Sequence, residues 1–345
     1  MSVAMDLETI RAASVPLTVP LLFAGLGEYV AQRAGTFNLS VEGMMLGSAF
    51  AAAYGASATG SPVVGLLCGM LVGLVVAFVH GNLSHRLQLN TYVVGLSLNI
   101  LVLGVTNYLL STTVLDIPGG SALRVPLLAD LPVVGKAFFV QPWVVYLIAP
   151  LMLLIWYVRR TRIGLELRAA GDDPGAADLT GIDVNARRRQ ALLFCGLCSG
   201  IGGAYLSVFQ SGSFTSGMTA GRGYIVIAAV IFGGWMLRGV IGACAVFGVA
   251  QGLQLALPAI GYSVSPQLLA ATPYLLALCS LAVLGARSRR PLALGRPFAP
   301  VREGGQMTAG VAPIGATPAS SYDALSRGQS KSTTPRRLRP ACMAS

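Results

Sequence analysis

The chain has 345 residues, of which 54% are hydrophobic and only 11% charged, and its mean hydropathy is +0.69. Soluble domains carry about 25% charged residues, so this composition excludes a water-solvated globule and requires lipid as the solvent for much of the chain. The net charge of +11 is concentrated at one end: residues 287–345 hold nine Arg and one Lys against one Glu and one Asp, which fits the positive-inside rule better than a nucleic-acid partner.

A helix needs about 20 mostly apolar residues to cross the hydrocarbon core. In chain order the stretches that qualify are 12–31, 39–57, 62–80, 91–113, 140–158, 190–209, 223–237, 239–257 and 267–285. They predict an all-α polytopic bundle of about 8–10 transmembrane helices. Two of them, 39–57 and 223–237, are short or interrupted. The start carries Asp6 and Glu8 where a secretory signal has its basic region, so the first apolar stretch is expected to remain as a span.

Arginine placement sets the orientation. The loop 159–189 holds Arg159, Arg160, Arg162, Arg168, Arg187, Arg188 and Arg189 and is expected in the cytoplasm. His85 with Arg86, Arg238 and the stretch from Arg287 mark three more cytoplasmic segments, and the charge-balanced loop 114–139 is expected outside. Gly65, Gly69 and Gly73 share one helix face, as do Gly196 with Gly200 and Gly248 with Gly252. Such small-residue faces predict close helix contacts and say nothing of a substrate. Beyond about Arg302 the composition turns to Gly, Pro, Ser, Thr and Ala, which predicts disorder.

The cysteines do not form a disulfide pattern. Cys195 and Cys198 make a lone C-x-x-C without a second pair or a nearby His, and read as packing residues. With only His80 and His85 in the chain, no metal site is expected. No paired carboxylates, His cluster or nucleophile–base set points to an enzyme.

An ionisable side chain at membrane depth costs at least about 2.5 kcal/mol on insertion scales and needs a reason. Glu28, Glu42 and Arg222 are such residues, and Asn38 and Asn99 are polar at comparable depth. Either they lock helices together or they face a substrate path. Glu42-Gly43 and Arg222-Gly223 each precede a short apolar span. Transporters often pair interrupted helices of this kind, one from each half of the chain, so the two segments are expected to be pseudo-equivalent, an internal repeat.

The stretch GEYVAQRAGTFNLSVEGMMLGSAFAA (27–52) resembles the N-terminal signature of ABC-transporter permeases of the branched-chain amino acid, ribose and nucleoside type, and is most similar to the nucleoside or simple-sugar permeases. The matching positions are Gly27, Glu28, Arg33, Gly35, Asn38, Leu39, Glu42, Gly43, Met44, Met45 and Leu46. TYVVGLSLNILVLGVTNYL (91–109), GLELRAAGDDPGAADLTGIDV (164–184), GRGYIVIAAVIFGGW (221–235), ATPYLLALCSLAV (271–283) and RPLALGRPF (290–298) resemble later regions of the same family. The chain departs from the family pattern at Gly175, where an acidic residue is usual, and at Met236-Leu237-Arg238, where a Pro commonly follows.

The resemblance implies a permease domain over 1–286 with a cytoplasmic coupling loop at 159–189; composition marks 287–345 as a basic, disordered cytoplasmic tail, which beyond about 305 has no counterpart in the family. It implies a bacterial inner-membrane importer subunit that moves nucleosides or related small polar solutes by alternating access, the alternatives being ribose-like sugars or branched-chain amino acids. A stand-alone secondary transporter is the rival from another class. The chain has no G-x-x-x-x-G-K-[ST] phosphate loop. The implied partners are therefore a separate ATPase that uses the ATP, a second permease chain and an extracytoplasmic binding protein, with no cofactor on this chain. Glu28, Asn38, Glu42, Asn99 and Arg222 are the expected pathway residues. Asp172 or Asp173 can cap a short helix starting at Pro174 and ended by Gly181. With Ala176 and Ala177, these residues are the expected contact with the ATPase.

Overall fold

Prolines, glycines and Asx caps set most of the helix ends. In the computed structural model, which describes residues 3–118, 122–124, 140–261, 290–299 and scattered positions between 265 and 279, α1 spans Val3–Arg33 with Pro16 and Pro20 inside it. Gly35, at φ 91°, turns the chain after α1. α2 (Val41–Thr59) stops at Gly60, which has φ 68°. Pro62 opens α3 (Pro62–Gly81), which widens into a π turn over Asn82–Arg86. The Asn90 side chain caps α4 (Thr91–Thr112) by accepting from the Tyr92 N–H at 2.9 Å.

A two-stranded antiparallel ribbon pairs Ala122 with Pro142; β1 (Ala122–Arg124) lies in the loop 114–139 expected outside, and β2 (Val140–Pro142) in the first residues of the predicted crossing 140–158. After a 3₁₀ turn at Trp143–Leu147 come α5 (Ile148–Val158) and α6 (Arg162–Asp172), which meet at a bend of 76°. The bend sits where Arg159, Arg160 and Arg162 begin the charged loop. Then follow α7 (Pro174–Leu179), α8 (Val184–Ala204, continued as a π turn over Tyr205–Ser211), α9 (Arg222–Phe232) and α10 (Leu237–Ile260). Each of the first eight predicted crossings therefore overlaps a helix, although 140–158 opens on β2 and the 3₁₀ turn and 223–237 runs past the end of α9. The ninth, 267–285, is described only at scattered positions up to 279, and the segment 125–139 and the tail 301–345 lie outside the described residues.

Among the described residues, five helices are long and apolar enough to cross a membrane: α1, α3 with its π turn, α4, α8 with its π turn, and α10; the bent pair α5–α6 makes a sixth if it counts as one span. α8 is the axis of the bundle, with 83% of its apolar window buried, against 28% for α4 at the rim. α1 packs on α8, α9 and α10, and α2 lies inside, against α3, α4 and α8. The outer faces are apolar: Leu67, Leu71, Val75 and Phe78 on α3 and Val93, Ile100 and Leu101 on α4 are exposed. Polar residues such as Glu28, Asn38, His80 and Arg188 are buried instead. That inversion is what a hydrocarbon solvent demands.

The glycine stripes are the helix contacts expected of them. A Cβ on Gly73 would overlap the Gly196 carbonyl of α8, and one on Gly248 would overlap Thr18 of α1. Backbones at this separation gain dispersion contacts that no larger side chain allows.

The compact unit runs to Pro300, so the sequence boundary at 286/287 falls inside it. Residues 290–299 fold back on the bundle: Ala293 N–H donates to the Gly171 carbonyl at 3.0 Å and Gly295 N–H to the Gly35 carbonyl at 2.9 Å. A basic, proline-containing stretch reads as a tail in composition; these main-chain bonds tie it down, together with the side chains of Asn185, which donates to the Phe298 carbonyl at 3.2 Å, and Arg188. The unit 301–345 lies outside the described residues.

Candidate functional site

α9 has 11 residues, about 16 Å of helix, half a hydrocarbon core. Its N-terminus meets the N-terminus of α2. The Glu42 carboxylate spans the junction, accepting from Thr219 Oγ1 at 2.6 Å, Gly221 N–H at 2.9 Å and Gly223 N–H at 2.7 Å. These N–H groups have no partner within α9, and an anion on them also meets the positive end of the helix dipole. Gly223 is required here, because a Cβ would lie 2.5 Å from Glu42 N. Gly221, at φ 77°, starts the helix from a left-handed turn.

Asn99 closes the same junction from α4. Its Oδ1 accepts from Gly43 N–H at 2.8 Å, and its Nδ2 donates to the Leu39 carbonyl at 2.8 Å and to Tyr224 Oη at 3.1 Å. Asn99 lies eight residues into α4, roughly 12 Å from that helix's start, so the N-termini of α9 and α2 both sit at depth, although α2, with 19 residues, is not the short segment expected and only α9 is. Arg222 donates to the Met218 carbonyl at 3.0 Å and to Gln251 Oε1 at 3.3 Å. Glu42 and Arg222 keep accessible surface, and Tyr224 is exposed.

Glu28 and Asn38 belong to a second network, fully buried between α1, α2 and α8. Glu28 accepts from Gln32 Nε2 at 2.8 Å and from Cys195 Sγ at 3.5 Å; the same Gln32 accepts from Trp235 Nε1 at 2.8 Å. Asn38 donates to Cys195 Sγ at 3.4 Å and accepts from Ser40 Oγ at 2.7 Å. Ser40 continues to His80 Nδ1 at 2.7 Å, and His80 Nε2 to Thr91 Oγ1 at 2.9 Å. His85 Nε2 lies 2.9 Å from Thr36 Oγ1, so the two histidines and Cys195 hold the chain where α1 breaks into α2. Glu42, Asn99 and Arg222 come together at the half-helix junction; Glu28 and Asn38 stand apart, on the other side of the α2 N-terminus.

The charged loop folds as the capping residues dictate. Asp173 is the N-cap of α7, its Oδ1 accepting from Ala176 N–H at 3.0 Å, and Pro174 is the first helical residue. Asp172 ends α6. Gly181, at φ 83°, ends the turn after α7. Ala177 is buried against Ala170 and Val184, while Ala176 is exposed. Leu179 is 90% exposed, a large apolar side chain projecting from a charged surface.

Beneath α7 lies Arg188, 0% exposed. Its guanidinium donates to the carbonyls of Ala34 at 3.2 Å, Ala170 at 3.1 Å and Arg296 at 2.7 Å. It thereby ties together the end of α1, the end of α6 and the folded-back segment 290–299. A Cβ on Gly171 would overlap the Arg33 carbonyl, so α6 rests directly on the break between α1 and α2. The segments 32–38, 82–91, 159–189 and 290–299 all meet at this end, the cytoplasmic end by the arginine rule.

Leu179, Arg188, Thr219 and Tyr224 were not singled out from the sequence. An apolar residue in the middle of DDPGAADLTGID was a usable signal for Leu179. Arg188 was one of seven loop arginines, and nothing local separates the buried one from the rest.

Residues 11–283 match the family described as branched-chain amino acid transport system, permease component. A putative glucose ABC transporter permease protein of Haloferax volcanii is 34% identical, the match covering 82% of this chain and 92% of that protein. A nucleoside ABC transporter permease protein of Lactococcus lactis is 31% identical over 88% of this chain and 98% of its own length. A guanosine ABC transporter permease protein of Bacillus subtilis is 29% identical over 85% and 98%. The named relatives are transport permeases and not enzymes. The chain belongs to the permease-component family of branched-chain amino acid transport systems, as a multi-pass membrane protein.

Proposed function

We propose that the chain is the membrane-spanning subunit of an ABC importer that moves nucleosides by alternating access. The observation that carries this is the junction of α2 and α9. The half-helix α9 and the 19-residue α2, one from each half of the chain, meet N-terminus to N-terminus at depth around Glu42, Asn99 and Arg222. Helix N-termini at such a break are apt for anionic or hydroxyl-rich groups, and a shift between α2 and α9 can open the path to one side and then the other. The exposed Tyr224 beside Asn99 offers an aromatic face and a hydroxyl for a nucleobase or sugar.

The energy comes from outside the chain. α7, with Leu179 uppermost, has the form of a coupling helix that seats in a groove of a separate ATPase. α6 and Arg188 connect that helix to the α1–α2 break, a route from ATPase motion to Glu42. A binding protein would deliver the solute from outside, and a second permease chain, identical or related, would complete the path.

Simple sugars are the second reading, favoured by the glucose relative at 34% identity. The test is uptake of labelled adenosine and uridine by cells with and without this gene, with unlabelled ribose, glucose and leucine as competitors. Loss of nucleoside uptake that none of the three competes with supports the nucleoside reading. Unchanged nucleoside uptake with lost glucose or ribose uptake moves the cargo to sugars.

A further inference from the structure

We propose that a cleft at the cytoplasmic end of the bundle binds an anionic phospholipid, its phosphodiester on Arg33, Arg159 and Arg168 and an acyl chain along the apolar wall. The cavity, of about 260 Å³, lies between α1, α5, α6 and α8. Its wall is built from Leu154, Val158, Ile163 and Phe194, and Leu154 and Ile163 stand about half exposed, at 49% and 50%. Three arginines line it, and no Asp or Glu does. The acidic residue on that stretch, Glu166, is engaged elsewhere, paired with Arg162 and Arg187.

Two of the three guanidinium groups are incompletely bonded. The Nε atoms of Arg33 and of Arg159 are buried and have no hydrogen-bond acceptor. A buried donor without an acceptor is costly, and here two of them border the same cavity. Arg168 is bonded to the Gly164 and Arg159 carbonyls, which fixes its place in the cluster. Arg159 also stands over the Tyr29 ring, 5.7 Å from its centroid.

The surroundings select a lipid over a free anion. Arg33 ends α1 and Arg159 sits at the bend where α5 gives way to the charged loop, which is headgroup depth on the positive side of the membrane. Trp156, 43% exposed and under Arg160 at 4.0 Å, marks the same level. Basic pockets between helices on this side suit lipid phosphates, and the anionic cytoplasmic leaflet supplies them. A free phosphate would leave the apolar wall uncovered. The bound lipid would brace the 76° bend between α5 and α6, next to the segment that carries α7.

The test reads bound lipid directly and does not involve transport. The full-length chain, purified in detergent and stripped of lipid, is incubated with phosphatidylglycerol or phosphatidylcholine of the same acyl chains, and retained lipid is counted by native mass spectrometry. The unaltered chain is expected to retain phosphatidylglycerol selectively. Arg33→Gln with Arg159→Gln should lower that retention about five-fold per arginine removed. Arg33→Lys with Arg159→Lys should keep part of it, and Arg238→Gln should leave it unchanged. Equal retention of the two lipids by the unaltered chain overturns the proposal without any variant having to fold. An equal loss in Arg238→Gln reduces the effect to general surface charge, and displacement by millimolar inorganic phosphate assigns the arginines to a free anion; either result also overturns it.

Discussion

Glu42 is held by Thr219 and by two N–H groups of the opposing half-helix. Glu42→Ala removes all three acceptor contacts and uncaps α9. The expected loss of stability is about 0.5–2 kcal/mol, read as a lower melting temperature in detergent, together with loss of uptake. Arg188 makes a larger difference. Arg188→Ala leaves the buried carbonyls of Ala34 and Ala170, and the partly buried one of Arg296, without their donor, and about 3 kcal/mol is expected from that alone. Arg188→Lys cannot reproduce the planar fork that spans Ala34, Ala170 and Arg296, so it too should melt early; an unchanged melting temperature in the lysine variant would contradict the bridging role. Glu42 was legible in the sequence because a carboxylate inside an apolar run has to be accounted for. Its partner Thr219 was not, because a threonine in a Gly- and Ser-rich turn looks like any loop residue. Glu28 and Asn38 were legible by the same depth argument, but depth does not distinguish a residue that faces a path from one sealed among Gln32, Cys195 and Ser40.

At the level of elements, α7 was readable to within a residue. Asp173, Pro174 and Gly181 each act through local backbone chemistry that spacing alone reveals. The function of its outer face rests on Leu179, and Leu179→Asp is expected to weaken docking of the ATPase about ten-fold. That is read as lost ATPase stimulation by the permease at an unchanged melting temperature, since the side chain is 90% exposed in the isolated chain. The helix pairs admit a paired test. Gly73→Ala would push a methyl group into the Gly196 carbonyl and should cost about 1–3 kcal/mol by overpacking. Gly104→Ala, with nothing within 4 Å of the added carbon, should be tolerated. Equal melting shifts would contradict the α3–α8 contact. The glycine stripes told which faces would approach closely, but not which helix each would find. The partners of Gly73 and Gly248 lie more than a hundred residues away, and no local pattern encodes them.

For the molecule as a whole, arginine placement anticipated which ends of the helices gather on one side. The structure brings residues 32–38, 82–91, 159–189 and 290–299 to that side through main-chain bonds and Arg188. The return of 290–299 to the bundle was illegible, because its anchors are backbone groups at Gly35 and Gly171, which any sequence supplies, and the side chains of Asn185 and Arg188, which nothing local marks out. The resulting arrangement places a candidate docking helix on one side of the α1–α2 break and a half-helix junction on the other. A machine of this form should depend on its partner for energy. The most direct measurement is accumulation of labelled adenosine in proteoliposomes that hold this chain, its second permease chain, the ATPase and the binding protein. Accumulation that requires ATP, and that Leu179→Asp abolishes, is the result the account predicts. Accumulation by this chain alone, driven by an ion gradient and indifferent to ATP, would contradict it.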